Sequence, residues 1–229
     1  MKDHIVKLFD GELSNLHCLV LAMAGLTITQ LDRVLTALED GETDFIHEMY
    51  VYDLEIDRYE KEIDGEVFNI LARRSPVAND LRRMIAISKI NVDLQRIGDE
   101  TIKTGRMVSA LFAGNNSDPN PQLLRDVLKI GHLAKRMLVD SVKSFDSADL
   151  QHTFELIRRH EHCGEHFEDG IRRQLTFVLQ DARLIGRTLD IVQIMKGFER
   201  CAEYAINIAE FTIFLVEGKD IRHQHLFTP

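Results

Sequence analysis

The sequence predicts an all-α protein: six long helices forming two tandem antiparallel three-helix bundles related by internal duplication. Three observations carry that expectation. Apolar residues recur at three- and four-residue steps through most of the chain. Only four prolines and 13 glycines interrupt its 229 residues. At a spacing of 104 residues, Ile87, Ile90, Arg96, Ile102, Leu111 and Gly114 fall on Ile191, Ile194, Arg200, Ile206, Leu215 and Gly218.

The first predicted helix carries Phe9, Leu13, Leu16, Val20 and Met23, resumes its stripe at Leu31, Val34 and Leu38, and ends near Gly41. A second runs from about Asp44 to Arg74 with Tyr52, Ile56, Ile63, Val67, Ile70 and Leu71. Ser75-Pro76 reads as an N-cap followed by proline in the first turn, so the third helix is expected from about Pro76 to Phe112. Gly114 to Pro121 is the most linker-like stretch and divides the chain into repeats at 1–115 and 121–220. The second repeat is predicted to hold helices from about Pro121 to Phe145, Ala148 to Leu179 and Ala182 to Gly218. Each unit is expected to bury three apolar stripes in its own core.

Composition narrows the functional classes. A net charge of −9 argues against a nucleic-acid-binding protein, leaving room only for local basic patches such as Arg73-Arg74 with Arg82-Arg83. Cys18, Cys163 and Cys201 are odd in number and widely spaced, which fits a reducing compartment rather than a disulfide framework. The N-terminus lacks a basic-then-apolar signal pattern, and no run approaches 18 apolar residues. The expectation is a cytoplasmic protein with no membrane span.

Chemistry-bearing residues concentrate between Asp53 and Asp99. Asp53-x-x-x-Asp57 and Gln95-x-x-x-Asp99 each place two side chains about one turn apart on one helix face. Rows of this kind on antiparallel neighbours are candidates for a metal or a partner's basic residues. At the repeat spacing Gln95 and Asp99 become Glu199 and Glu203. Measured from the Leu94–Ile97 seam, Gln95 and Asp99 lie about 130° or more away and are expected to face outward.

These segments closely resemble the PhoU family. The likeness rests on Asp53-Leu54-Glu55-Ile56-Asp57, on Leu71-Ala72-Arg73-Arg74-Ser75-Pro76-Val77-Ala78-Asn79-Asp80-Leu81-Arg82, and on Asp93-Leu94-Gln95-Arg96-Ile97-Gly98-Asp99-Glu100. In the second half it continues through Leu175-Thr176-Phe177, Asp181-Ala182-Arg183 and Phe198 to Glu210. The resemblance implies a cytoplasmic adaptor of two three-helix bundles, often a homodimer, that restrains phosphate uptake and the phosphate-starvation response. Its implied partners are the ATPase subunit of a phosphate ABC transporter and a sensor histidine kinase, with the membrane reached only through them. Arg73, Arg74, Asp80, Arg82, Arg96 and Arg200 are the candidate partner contacts.

The resemblance also implies an alternative, a store or sensor of iron, manganese or zinc. Gln95 replaces an expected glutamate, and aligning the second repeat to the family puts His160 and Gly164 at the other acidic pair. The internal spacing of 104 instead puts Asp57 on Glu161, and Glu161 and Glu165 each stand one residue from the family positions. The candidate ligands are therefore Asp53, Asp57, Gln95 and Asp99, then His160, Glu161, Glu165, Glu199 and Glu203.

Two enzymatic readings compete. His162-Cys163-Gly164-Glu165-His166 spells the H-x-x-E-H zinc-protease pattern, but without a third ligand, and exposed helix histidines account for it. A ferritin-like di-iron core needs Glu-x-x-His, and no glutamate here has a histidine three residues on. A non-enzymatic protein is expected, with its cysteines as packing residues.

Overall fold

The computed structural model describes the backbone of residues 2–113, 121–161 and 163–221, and the side chains of 9–113, 123–159, 164–165 and 167–221. It is all-helical apart from short connections. In chain order the helices are α1 (Lys2–Asp40), α2 (Ile46–Arg74), α3 (Asn79–Phe112), α4 (Pro121–Ser147), α5 (Leu150–Glu161), α6 (Cys163–Gln180) and α7 (Ile185–Glu217). A 3₁₀ turn, Ala182–Leu184, precedes α7. α5 and α6 flank residue 162, outside the described residues, and together cover the helix predicted from Ala148 to Leu179. Helices α1 to α3 form one three-helix bundle and α4 to α7 the other.

One boundary differs from expectation. Ser75 closes α2 instead of opening α3: it adopts the left-handed conformation (φ 44°, ψ 56°) and donates its backbone N–H to Leu71 O at 3.3 Å. Pro76 then follows the cap, a position proline favours because it cannot continue the helix. Helix α3 begins three residues later, after Ala78, whose φ of 50° sharpens the turn. Asp181 does play the N-terminal role at the equivalent turn, its carboxylate accepting from Arg183 N at 3.0 Å.

The predicted stripes are the core. Leu16, Val20, Met23, Leu31, Val34 and Leu38 of α1 are buried, as are Ile56, Ile63 and Ile70 of α2 and Ile87, Ile90, Leu94 and Ile97 of α3. Each such side chain contributes about 1.5–3 kcal/mol of burial. The two bundles do not keep separate cores, however. Buried residues of both repeats form one continuous cluster, with α3 packed along α7 and α1 beside α4.

Contacts across the α3–α7 junction run antiparallel. Arg96 lies over the Tyr204 ring at 5.7 Å, Arg200 Nη1 meets Glu100 Oε2 at 3.1 Å, and Gly197 faces Thr104. Since Arg96 and Arg200 are repeat equivalents, as are Glu100 and Tyr204, the first two contacts are one contact seen twice. Ile97 and Cys201, also equivalents, touch each other (Sγ to Ile97 O, 4.0 Å) and so mark a local pseudo-two-fold axis.

Helix α1 bears on the expectation that no segment spans a membrane. Its stretch Phe9–Asp40, whose most apolar 18-residue window has a mean hydropathy of 1.5, is long and apolar enough to cross a bilayer by length and composition. Here that composition is spent on protein contacts: α1 packs against α2, α3 and α4 and buries even Thr27 and Gln30.

Candidate functional surfaces

The first acidic row assembles where α2 meets α3. Asn91 Nδ2 donates to Glu60 O at 3.1 Å and to Asp64 Oδ1 at 3.0 Å, fixing the register of the two helices. Asp53, Asp57, Gln95 and Asp99 are half-buried, not the fully outward face expected. The reason is that α3 buries two faces, one against α1 and α2 and one against α7, leaving little circumference for solvent. Burial, then the charges of Asp57 and Asp99, push the Asp53 carboxyl above its ordinary value. Glu60 is raised likewise, by burial and then by Asp64 and Asp57. The groove is therefore a strip of mutually repelling carboxylates that favours protons, cations or a basic partner.

In the second repeat Glu199 is half-buried and Glu203 exposed. Burial raises the Glu199 carboxyl first, Glu203 adds to it, and Glu168 of α6 contributes from across the groove. Glu165 is exposed, and the side chains of His160, Glu161, His162, Cys163 and His166 lie outside the described residues. The sequence reading missed Glu60, Asp64 and Glu168. Steps of three and four from Asp57 to Glu60 to Asp64, and from Glu165 to Glu168, hold the signal.

Among the described residues, no group of three or more His, Cys, Asp or Glu side chains is placed to hold an ion. Within those residues the rows concentrate negative charge without converging on a point.

Several arginines expected to meet partners are committed within the chain. Arg74 forms a two-pronged pair with Glu12 of α1, at 3.0 Å and 2.9 Å. Arg82 Nη2 donates to Asn79 Oδ1 at 2.7 Å, and its guanidinium covers Gly218 at the end of α7. Arg96 lies 3.6 Å from Asp93 and over Tyr204, and Arg200 bridges to Glu100. Asn79 and Asp93 are local partners, but Glu12, Gly218, Tyr204 and Glu100 stand far off in sequence or across the repeat junction, so spacing alone could not show them. Arg73 stays exposed, and Asp80 sits half-buried in the first turn of α3.

Another surface was not anticipated. Phe68, Val77, Leu81 and Ile85 are exposed around the α2–α3 turn, Phe68 by 70%. Leu175, Leu179, Ile185 and Leu189 are exposed around the α6–α7 turn, Leu179 by 87%. Leu81 and Ile85 become Ile185 and Leu189 at the repeat spacing, and Phe68 becomes Leu175 in the register that aligns Asp53 with His160. Because α3 and α7 are antiparallel, the two apolar patches sit at opposite ends of their junction.

The fold and these faces define a two-repeat helical protein whose distinctive chemistry lies on its surface. The chain belongs to the PhoU family: the PhoU domain matches residues 20–108 and 127–212. It is 34% identical, over 96% of its length and 90% of the relative's, to the phosphate-specific transport system accessory protein PhoU homolog of Pseudomonas aeruginosa (PAO1). It is 29% identical to the PhoU accessory protein of Escherichia coli K12, covering 97% of this chain and 91% of that one. The crystal structure of PhoU from Pseudomonas aeruginosa superposes with a TM-score of 0.86 at 32% identity, over 92% of this chain and 100% of that one. The Streptococcus pneumoniae phosphate transport system regulatory protein PhoU shares the fold, with a TM-score of 0.82 at 23% identity over 93% of this chain and 98% of that one.

Proposed function

We propose that this protein is a cytoplasmic adaptor that restrains phosphate transport and phosphate-starvation signalling. In this reading it works by contact with the ATPase subunit of a phosphate ABC transporter and with a sensor histidine kinase. It acts as a homodimer and reaches the membrane only through those partners. Relatives named as accessory proteins of phosphate-specific transport systems support the setting. The observation that carries the adaptor role is the pair of equivalent apolar patches. Exposed aliphatic and aromatic clusters cost solubility, and their recurrence at matching places in both repeats speaks for use as contact surfaces.

The test is capture of the purified transporter ATPase or kinase by chains carrying Leu81→Asp, Ile185→Asp or both. Each single change should weaken capture and the pair should abolish it. Undiminished capture by the double variant removes these patches from the interface.

A second reading, a store or sensor of iron, manganese or zinc, draws on the raised Asp53 and Glu199 carboxyls, which a bound cation would relieve. Metal analysis of protein purified without a chelating tag tests it. Stoichiometric metal that disappears in Asp57→Asn/Asp99→Asn would support that reading, and its absence from the parent chain would end it.

A further inference from the structure

The acidic balance of this chain, 37 carboxylates against 28 lysines and arginines, is locally inverted between α4 and α6. A cleft of about 740 Å³ there is lined by Arg125, Asp126, Lys129, Arg173, Thr176 and Phe177. A narrower pocket of about 120 Å³ continues it along α4 to Arg136, sharing Asp126, Lys129 and Arg173. Four cations thus line the space against one carboxylate.

That carboxylate is already engaged: Arg173 Nε donates to Asp126 Oδ2 at 3.0 Å. Among the described residues, no carboxylate pairs with Arg125, Lys129 or Arg136. The three are spaced by four and seven residues, so they fall within roughly 40° on one face of α4 and span about 16 Å. Like charges one turn apart destabilise a helix unless something answers them. The same helix begins at Pro121, one turn before Arg125, and the N-terminal end of its dipole adds to the positive potential.

We infer that the α4–α6 cleft binds an anionic ligand carrying several phosphate groups. Arginine and lysine at this spacing suit successive phosphoryl groups better than a single small anion, because charge-assisted contacts can form at several points along the chain. Phe177, half-buried in the wall, offers a ring face to a nucleobase. Inorganic polyphosphate and a nucleoside triphosphate share the recognised chemistry. The site shares the end of α6 with one apolar patch, Thr176 and Phe177 lying between Leu175 and Leu179, but is built from other residues and does not rest on the adaptor reading. It has no counterpart in the first repeat, where Leu21 and Gly25 occupy the places of Arg125 and Lys129.

The experiment is calorimetric titration of the full chain at low ionic strength with sodium tripolyphosphate, ATP and orthophosphate, without magnesium. Saturable binding of one or both polyphosphates is expected, at least about tenfold tighter than orthophosphate and weakening as salt rises. Arg125→Glu/Lys129→Glu should lower that affinity about tenfold or more with an unchanged melting profile, while Arg58→Glu on α2 leaves it within about twofold. A preference for ATP that Phe177→Ala removes identifies a nucleotide; equal affinities identify an inorganic chain. The inference falls if neither polyphosphate binds up to about 1 mM, if orthophosphate binds as well as they do, or if Arg58→Glu weakens binding as much as the cleft variant.

Discussion

The close approach of the two bundles makes Gly197→Ala a sharp test of the shared core. A methyl group at Gly197 would overlap Thr104 Oγ1 and lie 3.4 Å from Thr104 Cβ and 3.6 Å from its Cγ2. The hydroxyl is tied down, donating to Glu100 O at 2.7 Å, and rotating it away swings the Thr104 methyl toward the same space. Overpacking of this kind costs about 1–3 kcal/mol. Replacing a mid-helix glycine with alanine returns about 1 kcal/mol. The net expectation is a loss near ~1 kcal/mol, or roughly 2–4 °C in Tm for a chain of this size. With Thr104→Ala in the background the overlap is gone, and the same change should stabilise by up to ~1 kcal/mol. Urea denaturation of the four proteins, with slopes compared to establish a single transition, gives a coupling of about 2 kcal/mol. A Gly197→Ala chain more stable than the parent, or a coupling near zero, would refute the packing of α7 on α3.

Three further outcomes follow from the electrostatics. Because the Asp53 carboxyl is raised, the folded state holds its proton more tightly than the unfolded chain, so the group's contribution is lost as pH rises through the folded pKa. Asp53→Asn should therefore melt higher than the parent at neutral pH, by an amount worth a few tenths to ~1 kcal/mol, and the advantage should vanish below the ordinary carboxylate range. A lower melting temperature in the presence of chelator would contradict this. Glu12 has the opposite sign: its hydrogen bond from Arg74 holds it below the usual carboxylate value, so the pair stabilises above that range and fades in acid. Arg74→Ala should lower the melting temperature at pH 7 and leave it close to the parent's at low pH; an unchanged stability with lost partner capture would return Arg74 to the interface. Finally, burial pushes the Cys201 thiol up to about 12, so a thiol reagent near pH 8 should modify exposed Cys18 and leave Cys201 intact in peptide mapping.

Much of the fold was legible because each helix buries a stripe that its own spacing reveals, as Ile87, Ile90, Leu94 and Ile97 do. What the spacing hid was the second buried face of α3. Thr101 and Thr104 do not read as core, yet both are buried against α7, Thr101 beside Cys201 and Thr104 beneath Gly197. That hidden face misdirected the placement of Gln95 and Asp99 as well, because a single seam was used to set the rotation. Ser75-Pro76 misled for a local reason: a hydroxyl and a proline suit the end of one helix as readily as the start of the next. The arginines were opaque because their fate depends on residues as distant as Glu12 and Glu100. The acidic rows themselves were visible, since a four-residue step needs no tertiary information.

The α3–α7 junction carries a consequence for how the molecule can be recognised. A contact built around a two-fold axis is what two identical subunits would make, and there each residue near the axis meets a copy of itself. Joining the halves in one chain removes that obligation. Ile97 faces Cys201, and the arginine that stacks on Tyr204 on one side of the axis is answered on the other by an arginine paired to Glu100. The two ends keep the same apolar design yet differ in charge, with the basic cleft on one half alone. A symmetric frame thereby presents two distinguishable handles, and a binding protein can tell which way round it holds the molecule.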